Sequence, residues 1–130
     1  MDITAAAIAT LLINRGNSLK NLNDQLDNIL KISIQYPYLE NPTFTATWND
    51  NKNSVDEKYL RYDNYCNLVF NYMERLCKYY KFNEKKIQNH INIKDWIRVH
   101  KQCWTNPSSP YENTDGYSKE LKKLLTHFLQ

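Results

Sequence analysis

The sequence predicts an all-α fold, a compact bundle of five or six helices carrying an N-terminal coiled-coil-like arm, protruding or packed. Three observations lead there. The 130 residues include two Gly and four Pro, too few turn residues for the many reversals of a β fold. Between Val55 and Phe82, Tyr62, Tyr65, Cys66, Val69, Tyr72, Met73, Leu76 and Tyr80 recur at steps of three and four, the spacing of one helix face. Polar residues able to cap helices open the later segments at Asn83, Asn92 and Ser118. A chain of this length suits one domain and buries roughly two thirds of its unfolded surface.

The first element runs from Ile3 to about Tyr36. Leu12, Leu19, Leu22, Leu26 and Ile29 follow a 7-3-4-3 spacing with Arg15 at the skipped position, the seam of a coiled coil. "NRGNS" (14–18) either ends one helix at Gly16 and caps a second, or is a weak point in a continuous one. A narrow seam on an Asn-rich helix needs cover, from another copy, a partner helix or the rest of the chain. Residues 1–36 are therefore read as an arm and residues 37–130 as the compact domain. Before the seam stands "ITAAAIATLLI" (3–13), shorter than the roughly 20 residues that span a bilayer, with no basic stretch ahead of it to make a signal peptide.

"YPYLENP" (36–42) ends the arm, because Pro37 and Pro42 disfavour helix in the residues before them. "TFTATW" (43–48) alternates like a short strand, but a short helix after Pro42 is preferred, with Phe44 and Trp48 on one side. "NDNKNS" (49–54) is read as a polar loop; as a calcium loop it lacks the acid at position twelve, where Leu60 stands. The segment from Val55 to Phe82 is apolar on more than one side, which marks a central helix. Asp56 and Glu57 open it and Lys78 and Lys81 close it, as the helix dipole favours.

Asn83 caps a helix from Glu84 to about Ile91. Asn92 caps the next, with Asp95 at its third position, and Pro107 and Pro110 close it. "YENTDGY" (111–117) is the most turn-like segment, and Ser118 starts a last helix to Leu129 with Leu121, Leu124, Leu125 and Phe128 at helical spacing.

The stretch "WIRVHKQCW" (96–104) concentrates the chemistry. On a helix Trp96, Val99, His100 and Cys103 share one face, while Lys94, Arg98 and Lys101 share another. The tryptophans read as core and the cations as a solvated or ligand-facing stripe. Between Asn83 and Trp104 five cations stand against Glu84 and Asp95, so the whole net charge of +3 sits on this segment. So mild a charge does not call for nucleic acid, which is not expected as a partner. Cys66, Cys77 and Cys103 form no CxxC pair, so neither a disulfide framework nor a zinc ribbon is expected, and reduced thiols in a cytoplasmic setting, at most at the inner face of the membrane, are the simplest account. Cys103 follows His100 by three residues, yet no acidic orienter lies near in sequence, so no catalytic residue is assigned. His and Cys spacing fits no metal site, and no glycine-rich phosphate loop exists, so no cofactor is expected. The start of the last helix, Ser118 and Lys119, is a second place where an anion can be held, but Asp115 opposes it and a structural turn with Gly116 left-handed and Tyr117 as anchor is the preferred reading.

Taken together, "YPYLENP", Trp48, "YLRYDNY", "WIRVHKQCW" and "ENTDGY" resemble a group of small bacterial helical proteins of uncharacterised function. Members often carry the domain after an N-terminal hydrophobic or coiled-coil segment. The resemblance spans roughly residues 30 to 120 and implies no activity and no site residues. It also implies that "AAAIATLLI" stands where relatives have a membrane helix, from which this chain departs by being too short.

The leading expectation is a non-enzymatic accessory or regulatory module of a bacterial or phage setting, self-associating or meeting a partner helix through Leu12, Leu19, Leu22, Leu26 and Ile29. The first alternative is a sensor of an anionic, nucleotide-like ligand that uses Lys94, Arg98, His100 and Lys101. The second is a membrane-peripheral protein anchored by residues 3–13.

Overall fold

The computed structural model describes residues 5–108 and 116–130, and for residues 5–15 the backbone course alone. Among the described residues there are eight α-helices, one 3-10 turn and no strand. They are α1 (Ala5–Gln35), the 3-10 turn (Pro37–Glu40), α2 (Pro42–Thr45), α3 (Trp48–Asn51), α4 (Glu57–Tyr79), α5 (Glu84–His90), α6 (Ile93–Val99), α7 (Lys101–Thr105) and α8 (Lys119–Phe128). The helix count exceeds five or six because two stretches expected to hold one helix each hold two. The side chain of Leu12 and the rest of the 3–13 run lie outside the described side chains, and most of the 111–117 turn lies outside the described residues.

α1 is one continuous helix. Gly16 does not end it, and a Cβ built at Gly16 meets nothing within 4 Å. It packs along α4. Ser18 and Leu22 share a groove with Arg75 and Tyr79, whereas Leu26 and Ser33 share another with Tyr65, so the two helices run antiparallel. Leu22 and Ile29 are 5% and 1% exposed and belong to the core that also holds Leu39 and the whole inner face of α4. Each fully buried aliphatic side chain of this kind contributes about 2 kcal/mol. The seam of the arm is thus covered in part by this chain: Leu22 and Ile29 point into its own core, and Leu19 and Leu26 are half-buried.

The segment between α1 and α4 folds as proline and asparagine dictate. Asn41 caps α2 by accepting from the Thr43 amide at 2.9 Å, and Pro42 takes the first helical turn. The polar residues expected to be loop instead start as helix: Trp48–Asn51 forms α3. Two long-range bonds explain this. The Trp48 indole donates to the Asn106 carbonyl at 2.8 Å, and the Gln102 side chain accepts from the Asn49 amide at 3.0 Å, which fastens α3 to the end of α7. Tyr38, Phe44, Tyr59 and Tyr62 pack ring against ring beneath it, Phe44 lying 4.9 Å from both Tyr38 and Tyr59.

α4 is the central helix. Nine of its residues are buried, from Tyr62 to Cys77. Asp56 caps it through the Lys58 amide. Its end is a Schellman turn, in which the Phe82 amide donates to the Cys77 carbonyl at 2.8 Å and the Lys81 amide to the Lys78 carbonyl at 3.0 Å. Lys81 and Phe82 both take left-handed angles there, φ 53° and 57°, where glycine would be the usual choice. Asn83, Asn92 and Ser118 cap α5, α6 and α8 as their sequence positions suggest.

Candidate functional site

The helix expected to run unbroken through "WIRVHKQCW" breaks at His100, whose φ of −103° and ψ of 21° separate α6 from α7. The break coincides with a ring held from two sides. His100 is 0% exposed. Its Nε2 lies 2.8 and 2.9 Å from the two carboxylate oxygens of Glu40, and its Nδ1 lies 2.6 Å from the Tyr62 hydroxyl. A neutral ring satisfies both contacts when Nε2–H donates to Glu40 and the Tyr62 hydroxyl donates to Nδ1.

Glu40 collects further donors. The Tyr65 hydroxyl donates to it at 2.5 Å and the Trp96 indole at 3.0 Å. Burial works to raise the Glu40 carboxyl, but the hydrogen bonds from His100, Tyr65 and Trp96 outweigh it and hold the group below its ordinary value. The phenols respond in the opposite sense: burial pushes Tyr62 up strongly, and burial followed by the bond to Glu40 raises Tyr65. Both keep their protons and act as donors.

The network has one open side. Glu40 retains 28% of its side-chain exposure and forms the floor of a groove of about 460 Å³ between α1 and the α5–α6 corner. Leu26, Leu30, Ile91 and the ring of Trp96 wall it, and Tyr65, Ser33 and Asn92 complete it. Among the described residues lining it, Glu40 is the only one that carries a charge.

The residues singled out from sequence divide. Lys94, Arg98 and Lys101 are exposed, as a cationic stripe requires, and Asp95 stands 3.8 Å from Arg98. His100 does not join them: it is enclosed behind Glu40 and Tyr62 and has no surface with which to meet an anion. The acidic orienter absent from its sequence neighbourhood is Glu40, supplied across the fold. Cys103, 3% exposed, packs with Cys66 in the core, and burial raises the Cys66 thiol far above its ordinary value. The Ser118 end of α8 already receives a carboxylate of this chain, since the Ser118 amide donates to Glu74 at 3.2 Å. No group of three or more His, Cys, Asp or Glu side chains suited to a metal occurs among the described residues, and no helix among them is long and apolar enough to cross a membrane.

Sequence periodicity could not find the Glu40 network. Its only local signal is a lone acid in the aromatic, proline-bounded "YPYLENP", since an acid among aromatics is costly to bury without donors. No protein-family model, curated protein or solved structure matches this chain.

Proposed function

We propose that the protein is a non-enzymatic helical accessory module that self-associates through the N-terminal half of α1. One observation carries the reading. α1 lies antiparallel to α4 so that Ser18 and Leu22 sit beside Arg75, Lys78 and Tyr79, the end of α4. The helix nevertheless continues back to Ala5, more than three turns beyond that end. That extension carries "AAAIATLLI" and Leu12. An uninterrupted apolar helix of this length needs another helix to cover it, and a second copy supplies the same surface by symmetry.

The chemistry of the enclosed site supports a non-catalytic role. A general base needs basicity and access; Glu40 is exposed but loses basicity to its donors, while His100 has no access. A cysteine nucleophile needs a thiolate, and burial drives the Cys66 and Cys77 thiols upward.

Light scattering of the full chain and of a Leu12→Asp/Leu19→Asp variant tests this. The wild type is expected at a multiple of 15.5 kDa and the variant, with its helical circular dichroism retained, at the monomer mass. A variant with the mass of the wild type would refute the proposal.

A further inference from the structure

The groove above Glu40 is not used by the self-association proposed above, which concerns the opposite end of α1. Its make-up is selective. Its apolar lining is aliphatic, from Leu26, Leu30 and Ile91, together with Trp96. Leu30 stays 47% exposed at the rim even though it sits on the helix that buries Ile29 one residue earlier. Glu40 lines the groove as a partly exposed carboxylate, bonded by Tyr65 and Trp96 of the same lining and by the buried His100. Three donor groups make five contacts to its two oxygens, and the carboxylate still keeps 28% of its side-chain exposure. Among the described residues no cation lines the groove: Lys94 and Arg98 are on α6, but neither is among its lining side chains.

We propose that this groove is a binding site for an organic cation, a small primary amine carrying an apolar body. The ammonium group meets the exposed part of the Glu40 carboxylate, beside Trp96 and Tyr65. The apolar body lies along Leu26, Leu30 and Ile91. An anion is repelled by Glu40, and a neutral alcohol of the same length gains the walls without the charge. The volume is in the range of small-molecule sites, about 300 to 1,000 Å³. The carboxyl is held below its ordinary value, so it is ionised at neutral pH whether or not a ligand is present.

The test is a titration of the full chain with hexylamine, hexanol and hexanoate. It is followed by the Trp96 indole N–H resonance, which reports directly on the Glu40 carboxylate because that N–H donates to it. Trp96→Phe assigns the signal. Hexylamine is expected to shift it saturably, with hexanoate giving no shift and hexanol a much smaller one. Because Glu40→Gln also removes a structural acceptor, the deciding variants are Leu30→Lys and Leu30→Gln at the exposed rim. The lysine, a tethered cation beside Glu40, is expected to abolish the hexylamine shift, and the glutamine, which loses apolar contact alone, to keep a saturable shift of weaker affinity. No saturable shift with hexylamine, an equal shift with hexanol, or equal shifts in the two Leu30 variants would each overturn the proposal. So would a response confined to lysine-bearing peptides, which would assign the groove to a protein partner.

Discussion

His100 Nε2 lies 2.8 Å from a carboxylate oxygen of Glu40, although sixty residues separate the two in the chain. The contact joins the 3-10 turn after α1 to the break between α6 and α7. With Tyr62 on the other ring nitrogen and Tyr65 and Trp96 on the carboxylate, it ties three separate parts of the fold together at one point. Glu40→Gln offers one acceptor oxygen where two served and presents N–H groups to donors. Unfolding by urea is expected to show a loss of about 3 kcal/mol at neutral pH.

The same group sets a pH dependence. A carboxyl that is lower in the folded state than its ordinary 4.5 gives stability that is complete above that value and disappears as the pH falls through the folded one. The stability gap between wild type and Glu40→Gln is therefore expected to be flat from neutrality down to about pH 4.5 and to narrow below it. Urea midpoints measured across this range check the point; a gap that widens on acidification would contradict it.

Tyr72 is 0% exposed, and its hydroxyl is the one buried side-chain polar atom without a hydrogen-bond partner among the described residues. Burial, with Tyr80 and Cys77 nearby, pushes its phenol up to about 12. An unpaired buried hydroxyl costs free energy, so Tyr72→Phe is expected to raise stability by up to about 1 kcal/mol while keeping the ring against Trp96. A loss of that size in calorimetry would show that the hydroxyl is satisfied.

Lys81 takes φ 53° at the Schellman turn that ends α4. A left-handed conformation costs a residue with a Cβ about 1 kcal/mol. Lys81→Gly removes that cost and is expected to raise the melting temperature, the relief of strain exceeding the added freedom of the unfolded chain; a lowered melting temperature would contradict this balance.

Cys66, Cys77 and Cys103 are all free and buried. Burial, and then the charge of Glu74, raises the Cys77 thiol to about 12. An aromatic disulfide reagent is expected to titrate none of the three thiols in the native protein and all of them in denaturant. Rapid native labelling of Cys77 would contradict the packing of α4.

The helical architecture was legible where a local rule governs. The three- and four-residue spacing of α4 and the caps at Asn83, Asn92 and Ser118 need only neighbours along the chain. What escaped depends on distant partners. The 49–51 segment reads as a polar loop until Gln102 and Asn106 bond it. The helix through His100 reads as continuous until Glu40 and Tyr62 claim its ring. Likewise Leu22 and Ile29 read as a seam for another chain, because the sequence does not say that α4 lies antiparallel beside them.

Sedimentation equilibrium of the full chain over a dilution series decides whether α1 beyond the end of α4 pairs with a second copy, as proposed. The expected result is a mass above 15.5 kDa that falls toward that value on dilution. A mass of 15.5 kDa at every concentration would contradict it.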